Sequence, residues 1–140
     1  MPIDGIFGVT VDVLGKSLDL RARNHGYISA NLANAETPGY VPSTLSFEGE
    51  LKEALNGRGK NRGALTNPRH IPLKGGNGTL DGVRGTVIET PADAPGVDGN
   101  KVELENEMGK MVENQIMYNA TVQLLGKEFD NIKTAIKGGN

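Results

Sequence analysis

The C-terminal third of the sequence contains the longest regular alternation of apolar and polar positions in the chain. Beginning at Leu104, successive positions follow at spacings of four and three residues without a break. This is the a/d pattern of a helix whose narrow apolar seam needs a second helix to cover it. The members of this seam are Leu104, Met108, Met111, Gln115, Tyr118, Val122, Leu125, Phe129, Ile132 and Ile136, of which only Gln115 is strongly polar.

The flanking residues predict where this C-terminal helix begins and ends. Asn100 followed by Glu103 has the form of a capping box, and Lys137 followed by Gly138 favours an end at that point. We therefore expect a helix from Lys101 to Lys137, which at about 1.5 Å per residue is about 55 Å long.

A weaker repeat with the same spacing predicts an N-terminal helix from about Asp12 to Asn34, and this helix is able to pair with the C-terminal one. Its stripe contains Val11, Leu14, Leu18, Arg21, His25, Ile28 and Leu32. The apolar members are the expected cover for the C-terminal seam. Arg21 and His25 interrupt the stripe, and we expect such buried polar groups to fix the pairing register.

The segment between the two helices, residues 41–99, has no sustained period and is rich in glycine and proline. Short strands are predicted at Thr44–Phe47 and Thr86–Thr90, with little else that is regular. A Pro38-Gly39 pair suits the central positions of a type II turn and ends the first helix. The predicted fold is mainly α, with 1–40, 41–99 and 100–140 as the three parts of one assembly domain.

Composition limits both the core and the chemistry of the chain. Of 140 residues, 36% are hydrophobic and 4% aromatic, so the core is expected to be thin. The absence of cysteine excludes disulfides, thiolate metal sites and a cysteine nucleophile. A formal net charge of -2 does not favour nucleic acid or a membrane surface as a partner. We also expect neither a cleaved secretory leader nor insertion into a membrane.

Charge is unevenly distributed along the chain. Between Ala54 and Leu80 there are no acidic residues and five basic ones, whereas the stretch from Glu89 to Glu107 is acidic. A solvated basic loop explains this pattern, and so does a contact with an acidic neighbour or an anionic polymer. The candidate residues for inter-subunit charge contacts are Arg58, Lys60, Arg62, Arg69 and Lys74.

No catalytic or cofactor-binding pattern is present. The only histidines, His25 and His70, lie outside any metal-binding motif, and His25 is better explained as a helix-interface residue. The glycine-rich stretches contain no Gly-Lys-Ser/Thr, which a phosphate loop requires. We therefore expect a protein that is not an enzyme and that binds no metal or cofactor.

One short run carries a specific resemblance. It comprises Ala30, Asn31, Leu32, Ala33 and Asn34, followed by Thr37, Pro38, Gly39 and Tyr40. This run resembles the N-terminal signature of the bacterial flagellar rod and hook proteins. The C-terminal run from Val102 to Ile136 and the Thr66–Ile71 segment are similar to the proximal rod members of that family.

The resemblance implies a structural subunit of the flagellar basal-body rod, a drive shaft in the periplasm that transmits torque and is needed for motility. The implied partners are copies of the chain itself, other flagellar rod proteins, the adaptor between the rod and the membrane ring, and the flagellar type III export apparatus, which works without a cleaved leader. Either of two sister proximal rod proteins fits, and a cytoplasmic coiled-coil interaction module is the competing class. We further expect the terminal helices to fold as they assemble.

Overall fold

Two long helices dominate the computed structural model, which describes residues 7–60, 80–89 and 102–138. Helix α1 spans Phe7–Ala33 and helix α3 spans Leu104–Lys137. Hydrogen bonds join Asn31 to Glu107 and Arg21 to Asn114, so the two helices run antiparallel along one another. The mainly α fold with paired terminal helices is therefore confirmed.

A short antiparallel sheet lies beside α1. Strand β1 is Ser43–Ser46 and strand β2 is Thr86–Glu89, with Ser43 opposite Glu89 and Ser46 opposite Thr86. These bounds agree with the predicted strands to within one residue at every strand end that the structure describes. A 3₁₀ turn, Leu80–Gly82, precedes β2.

Helix α2, Glu48–Lys60, corrects the expectation that the middle of the chain has little regular structure beyond strands. Glu48 and Glu50 lie in its first turn, where the helix dipole favours carboxylates. Ala54 is buried and Leu51 is half-buried. Three glycines and few apolar residues hide the helical period in the sequence.

The core is small and is built on one side of α1. Leu20 of α1 packs with Leu45, Phe47, Ala54, Leu80 and Val83, and Val13, Tyr27 and Leu51 pack against this cluster. The sheet, α2 and the 3₁₀ turn therefore form a compact addition to the helix pair. Within the described part of the chain, no helix is both long enough and apolar enough to cross a membrane.

The helix ends differ from their predicted positions. Helix α3 begins at Leu104 instead of Lys101, and its N-cap Glu103 makes no side-chain capping bond. Asn100, the other half of the expected capping box, lies outside the described residues. Helix α1 begins at Phe7, before the predicted Asp12, because its first turns already contain apolar residues. At the other end of α3, Gly138 adopts a positive φ of 69°, as the sequence predicted for a stop.

Candidate assembly site

Asn31 joins four parts of the structure and is completely buried, with 0% exposure. Its Nδ2 donates to the carbonyl oxygen of Ser43 and to Oε2 of Glu107, both at 2.8 Å. Its Oδ1 accepts from the Ser43 amide at 3.0 Å and from the Tyr40 hydroxyl at 3.1 Å. The side chain thus uses all four of its hydrogen bonds and fixes α1, the following turn, β1 and α3 relative to one another.

The turn after α1 is built by other residues of the same signature. The amide of Asn34 and its Nδ2 both donate to the carbonyl oxygen of Ala30, at 3.1 and 2.8 Å. The Tyr40 amide donates to the Thr37 carbonyl oxygen at 3.2 Å, and Gly39 has a φ of 77°. This geometry agrees with the predicted turn around Pro38-Gly39, since glycine reaches a positive φ without strain.

Asparagines also close the outer edge of β1. Asn24 Oδ1 accepts from the Leu45 amide at 3.2 Å, and Asn31 binds both the amide and the carbonyl oxygen of Ser43. These backbone groups point away from β2, on the side where a third strand would pair. Two side chains from α1 therefore replace that strand.

The face that α3 turns towards α1 is largely polar. The buried residues of α3 are Glu107, Asn114 and Thr121, spaced seven residues apart. Glu107 binds Asn31 and also accepts from Lys110 Nζ at 2.6 Å. Asn114 donates to the Arg21 carbonyl oxygen at 3.0 Å, and Thr121 donates to the Met117 carbonyl oxygen at 2.8 Å. Most of these polar groups are paired, which offsets the cost of their burial, although Asn114 Oδ1 has no hydrogen-bond partner.

The predicted apolar seam of α3 is divided between two faces. Four of its members are half-buried beside the polar residues that face α1: Met111, Tyr118, Leu125 and Ile132. The other six are exposed: Leu104, Met108, Gln115, Val122, Phe129 and Ile136. The contact between α1 and α3 therefore uses only alternate members of the seam, and the sequence pattern missed Glu107, Asn114 and Thr121.

Helix α3 leaves many large apolar side chains in contact with solvent. Besides the exposed seam residues, they include Val112, Ile116, Met117 and Leu124. Ile136 is the most exposed, at 80%. A helix with this much exposed apolar surface typically contacts another protein.

The residues of the predicted α1 stripe are buried or half-buried. Arg21 and Ile28 are buried, whereas Leu14, Leu18, His25 and Leu32 are half-buried. The Arg21 guanidinium stacks on the Phe47 ring with its carbon 5.4 Å from the ring centroid, and Nη2 donates to Glu48 Oε1 at 3.3 Å. Arg21 thus binds the sheet side of the molecule with its side chain and α3 with its backbone.

The structure does not test the predicted contacts of the basic residues in the middle segment. Arg58 and Lys60 belong to the last turn of α2, and Arg62, Arg69 and Lys74 lie outside the described residues. Among residues 7–60, 80–89 and 102–138, no cluster of three or more His, Cys, Asp or Glu side chains is placed to hold a metal ion.

Comparison with known proteins gives one consistent name. The chain is 32% identical over 126 residues to the flagellar basal body rod protein FlgB of Cereibacter sphaeroides strain ATCC 17029, covering 90% of this chain and 92% of that protein. It is 30% identical over 129 residues to FlgB of Salmonella typhimurium strain LT2, with 89% and 91% covered. FlgB of Escherichia coli strain K12 is 28% identical over 130 residues, with 89% and 91% covered. No family model matches the chain.

Proposed function

Since the chain belongs to the family of flagellar basal body rod proteins named FlgB, we propose that it is a structural subunit of the proximal rod. In this role it assembles through α1 and α3 with copies of itself and with other rod proteins. The finished rod transmits torque through the periplasm and is needed for motility. Export by the flagellar type III apparatus and contact with the adaptor at the rod base complete the proposal.

The observation that carries this proposal is the distribution of apolar surface on α3. The helix buries a polar face against α1 and exposes large apolar side chains around the rest of its circumference. Covering a half-exposed Val, Leu, Ile, Phe or Met side chain contributes roughly 1 kcal/mol. Several such residues on each copy supply a driving force comparable to the stability of a small domain.

The same distribution suggests that folding and assembly are coupled. Ordering each residue costs about 1 to 2 kcal/mol, and a helix pair with a polar contact recovers little of that cost through apolar burial. Assembly buries the remaining apolar surface of α3, and binding of neighbouring subunits to the folded chain shifts the equilibrium towards folding. Circular dichroism of the chain at micromolar concentration, combined with sedimentation velocity, tests this: a fully helical monomer would contradict the coupling, and a stable discrete dimer would favour a simple coiled-coil module.

The role of the exposed seam is tested by placing a charge in it. Val122→Asp and Phe129→Asp each introduce a carboxylate at an exposed position of α3, so the isolated chain should keep its helical content. We expect rod assembly and swimming to be lost in the bacterium that encodes the chain. The matched control is Ile88→Asp, because Ile88 is an apolar residue of similar exposure on β2. Normal swimming by both seam variants would refute the assembly role.

The basic residues are proposed to set the alignment between neighbouring subunits more than the strength of the contact. The set is Arg58, Lys60, Arg62, Arg69 and Lys74. Reversal of the charge at Arg58, Lys60 and Arg62 together should slow assembly, and added salt should partly restore the rate because it screens the new repulsion. Unchanged motility in the triple variant would argue against this role.

A further inference from the structure

The side of α3 that faces α1 is not its most apolar side. Glu107 and Thr121 are buried there, whereas the seam residues that directly follow them, Met108 and Val122, are 55% and 44% exposed. Adjacent residues of an α-helix lie about 100° apart around its axis. A roll of α3 by about half of this angle would therefore bring the apolar seam onto α1.

Hydrophobic burial alone favours the rolled arrangement, because it would remove large apolar side chains from water. The helix opposite would gain as well, since Leu14, Leu18 and Leu32 of α1 are only half-buried in the observed arrangement. A specific interaction must therefore hold α3 in the rotation that the structure shows.

Two hydrogen bonds between α1 and α3 supply that interaction. Glu107 Oε2 accepts from Asn31 Nδ2 at 2.8 Å, and Asn114 Nδ2 donates to the Arg21 carbonyl oxygen at 3.0 Å. Asn31 is unable to follow a rolling α3, because it also binds the amide and the carbonyl oxygen of Ser43. The Arg21 carbonyl oxygen is fixed too, since it belongs to the backbone of α1.

The spacing of the two bonds determines what they fix. Glu107 and Asn114 are seven residues apart, which is two turns and about 10 Å along α3. Two attachments on one stripe determine both the rotation of a helix and its position along its partner. A roll would break both bonds, one of which involves a carboxylate and is therefore among the stronger kind. Buried polar residues set the alignment of helix pairs in this way at a cost in stability.

We propose that these two hydrogen bonds set the rotation of α3 so that its apolar seam faces outward. Glu107 and Asn114 are then positioning residues, which determine the face of α3 that is presented to a neighbouring subunit. The free chain is less stable as a result, but it retains an apolar surface for the neighbour to cover. This last step rests on the proposed rod function, whereas the rotation of α3 is a property of the chain alone.

The rotation is tested by the reactivity of single cysteines, because the chain has none of its own. Thr121→Cys places a thiol on the buried stripe, and Val122→Cys places one on the exposed seam. In the folded chain, the thiol at position 122 should react with a maleimide about tenfold faster than the thiol at position 121, since a buried thiol reacts only through local opening. When Glu107→Ala and Asn114→Ala are added together, the reaction at 122 should slow and the reaction at 121 should accelerate.

The direction of these changes separates a roll of α3 from a loosened contact. A contact that is merely weakened would accelerate the reaction at 121 and would not slow the reaction at 122. That result, or unchanged rates at both positions, would overturn the proposal. Glu107→Gln is the conservative variant, because its carbonyl oxygen still accepts a weaker hydrogen bond from Asn31, and it should keep the original order of rates.

A single substitution keeps the test decisive if the double variant does not fold. Asn114→Ala removes one of the two bonds and leaves the bonds of Asn31 in place. It should shift the two reaction rates in the same directions by a smaller factor. Unchanged rates in this variant would equally overturn the proposal.

The consequence for assembly is tested in the bacterium that encodes the chain. Glu107→Ala with Asn114→Ala should reduce swimming, because α1 then covers the seam that a neighbouring subunit needs. Glu107→Gln should swim normally, and so should the control Glu113→Ala, which removes an exposed carboxylate from the same helix. Normal swimming with a rolled α3 would refute the link between rotation and assembly. If the chain is absent from isolated basal bodies, the rod function fails, and the thiol rates still decide the rotation.

Discussion

Replacement of Asn31 tests how much of the fold depends on one buried side chain. Asn31→Ala would leave four groups without their partner: the amide and carbonyl oxygen of Ser43, the Tyr40 hydroxyl and the Glu107 carboxylate. Each neutral group left unpaired costs about 1 kcal/mol, and the Glu107 carboxylate, which keeps its bond from Lys110 Nζ, loses a charged hydrogen bond worth about 2 kcal/mol. Allowing for local relaxation, we expect the free energy of unfolding to fall by about 3 to 5 kcal/mol.

The assay is urea unfolding followed by circular dichroism, under conditions in which the chain is folded. Asn34→Ala is the matched control, because Asn34 is three residues away in the same signature and makes only local bonds to Ala30 and Thr37. It should cost about 1 kcal/mol. If Asn31→Ala costs no more than Asn34→Ala, the assignment of Asn31 as the connecting residue is wrong.

Milder variants keep the test useful if Asn31→Ala does not fold. Tyr40→Phe removes one of the four bonds and should cost about 1 kcal/mol. Where Asn31→Ala does fold, a double-mutant cycle with Glu107→Gln isolates the contact between α1 and α3, and we expect a coupling energy of about 1 to 2 kcal/mol. A coupling energy near zero would mean that this bond does not hold the two helices together.

Three further variants probe the sheet and the long helix. Gly85→Ala should lower the free energy of unfolding by about 1 to 3 kcal/mol, because Gly85 has a φ of 71° and an added Cβ would lie 3.0 Å from Leu45; a neutral effect would refute the close packing. Gly126→Ala, which has open space around it, should raise the stability of the isolated chain by about 1 kcal/mol, and a concurrent loss of motility would reveal a close neighbour in the rod. Hydrogen bonds, first from the Thr86 hydroxyl and also from the backbone amides of Gly85 and Arg84, lower the pKa of Glu50 below its ordinary value of 4.5. The stabilisation by this carboxylate is therefore present above about pH 4.5 and is lost as the pH falls through the lowered pKa. Glu50→Gln should accordingly destabilise the chain at neutral pH and have less effect in acid. The control Glu53→Gln should have little effect on stability at either pH.

The sequence predicted the long helices, both strands and the turn because each has a local cause. Spacings of three and four residues produce α1 and α3, and Pro38-Gly39 produces the turn. Helix α2 was missed because its glycines and charges conceal its period, and its burial of Ala54 depends on residues far along the chain, such as Leu80 and Val83.

The pattern of apolar positions also fails to predict the face of α3 that contacts α1, because the buried residues of that face are polar. Glu107, Asn114 and Thr121 repeat every seven residues, but in a sequence this repeat resembles a solvent-exposed face. Their burial is explained by specific partners on α1, namely Asn31 for Glu107 and the Arg21 backbone for Asn114. Hydrogen-bond pairing between distant residues leaves no periodic signal in a sequence, so the pattern of apolar positions does not predict this network.

The asparagine-covered edge of β1 has a consequence for a protein that is packed among identical copies. A two-stranded sheet normally offers two edges, and sheets joined at both edges can grow without limit into fibres. Here Asn31 binds the amide and the carbonyl oxygen of Ser43 and Asn24 binds the Leu45 amide, all along one edge. Among the strands that the structure describes, only β2 remains able to accept another strand, and two such sheets joined through β2 would have no free edge left. Growth by strand addition therefore stops at a pair, which protects crowded subunits from aggregation as amyloid.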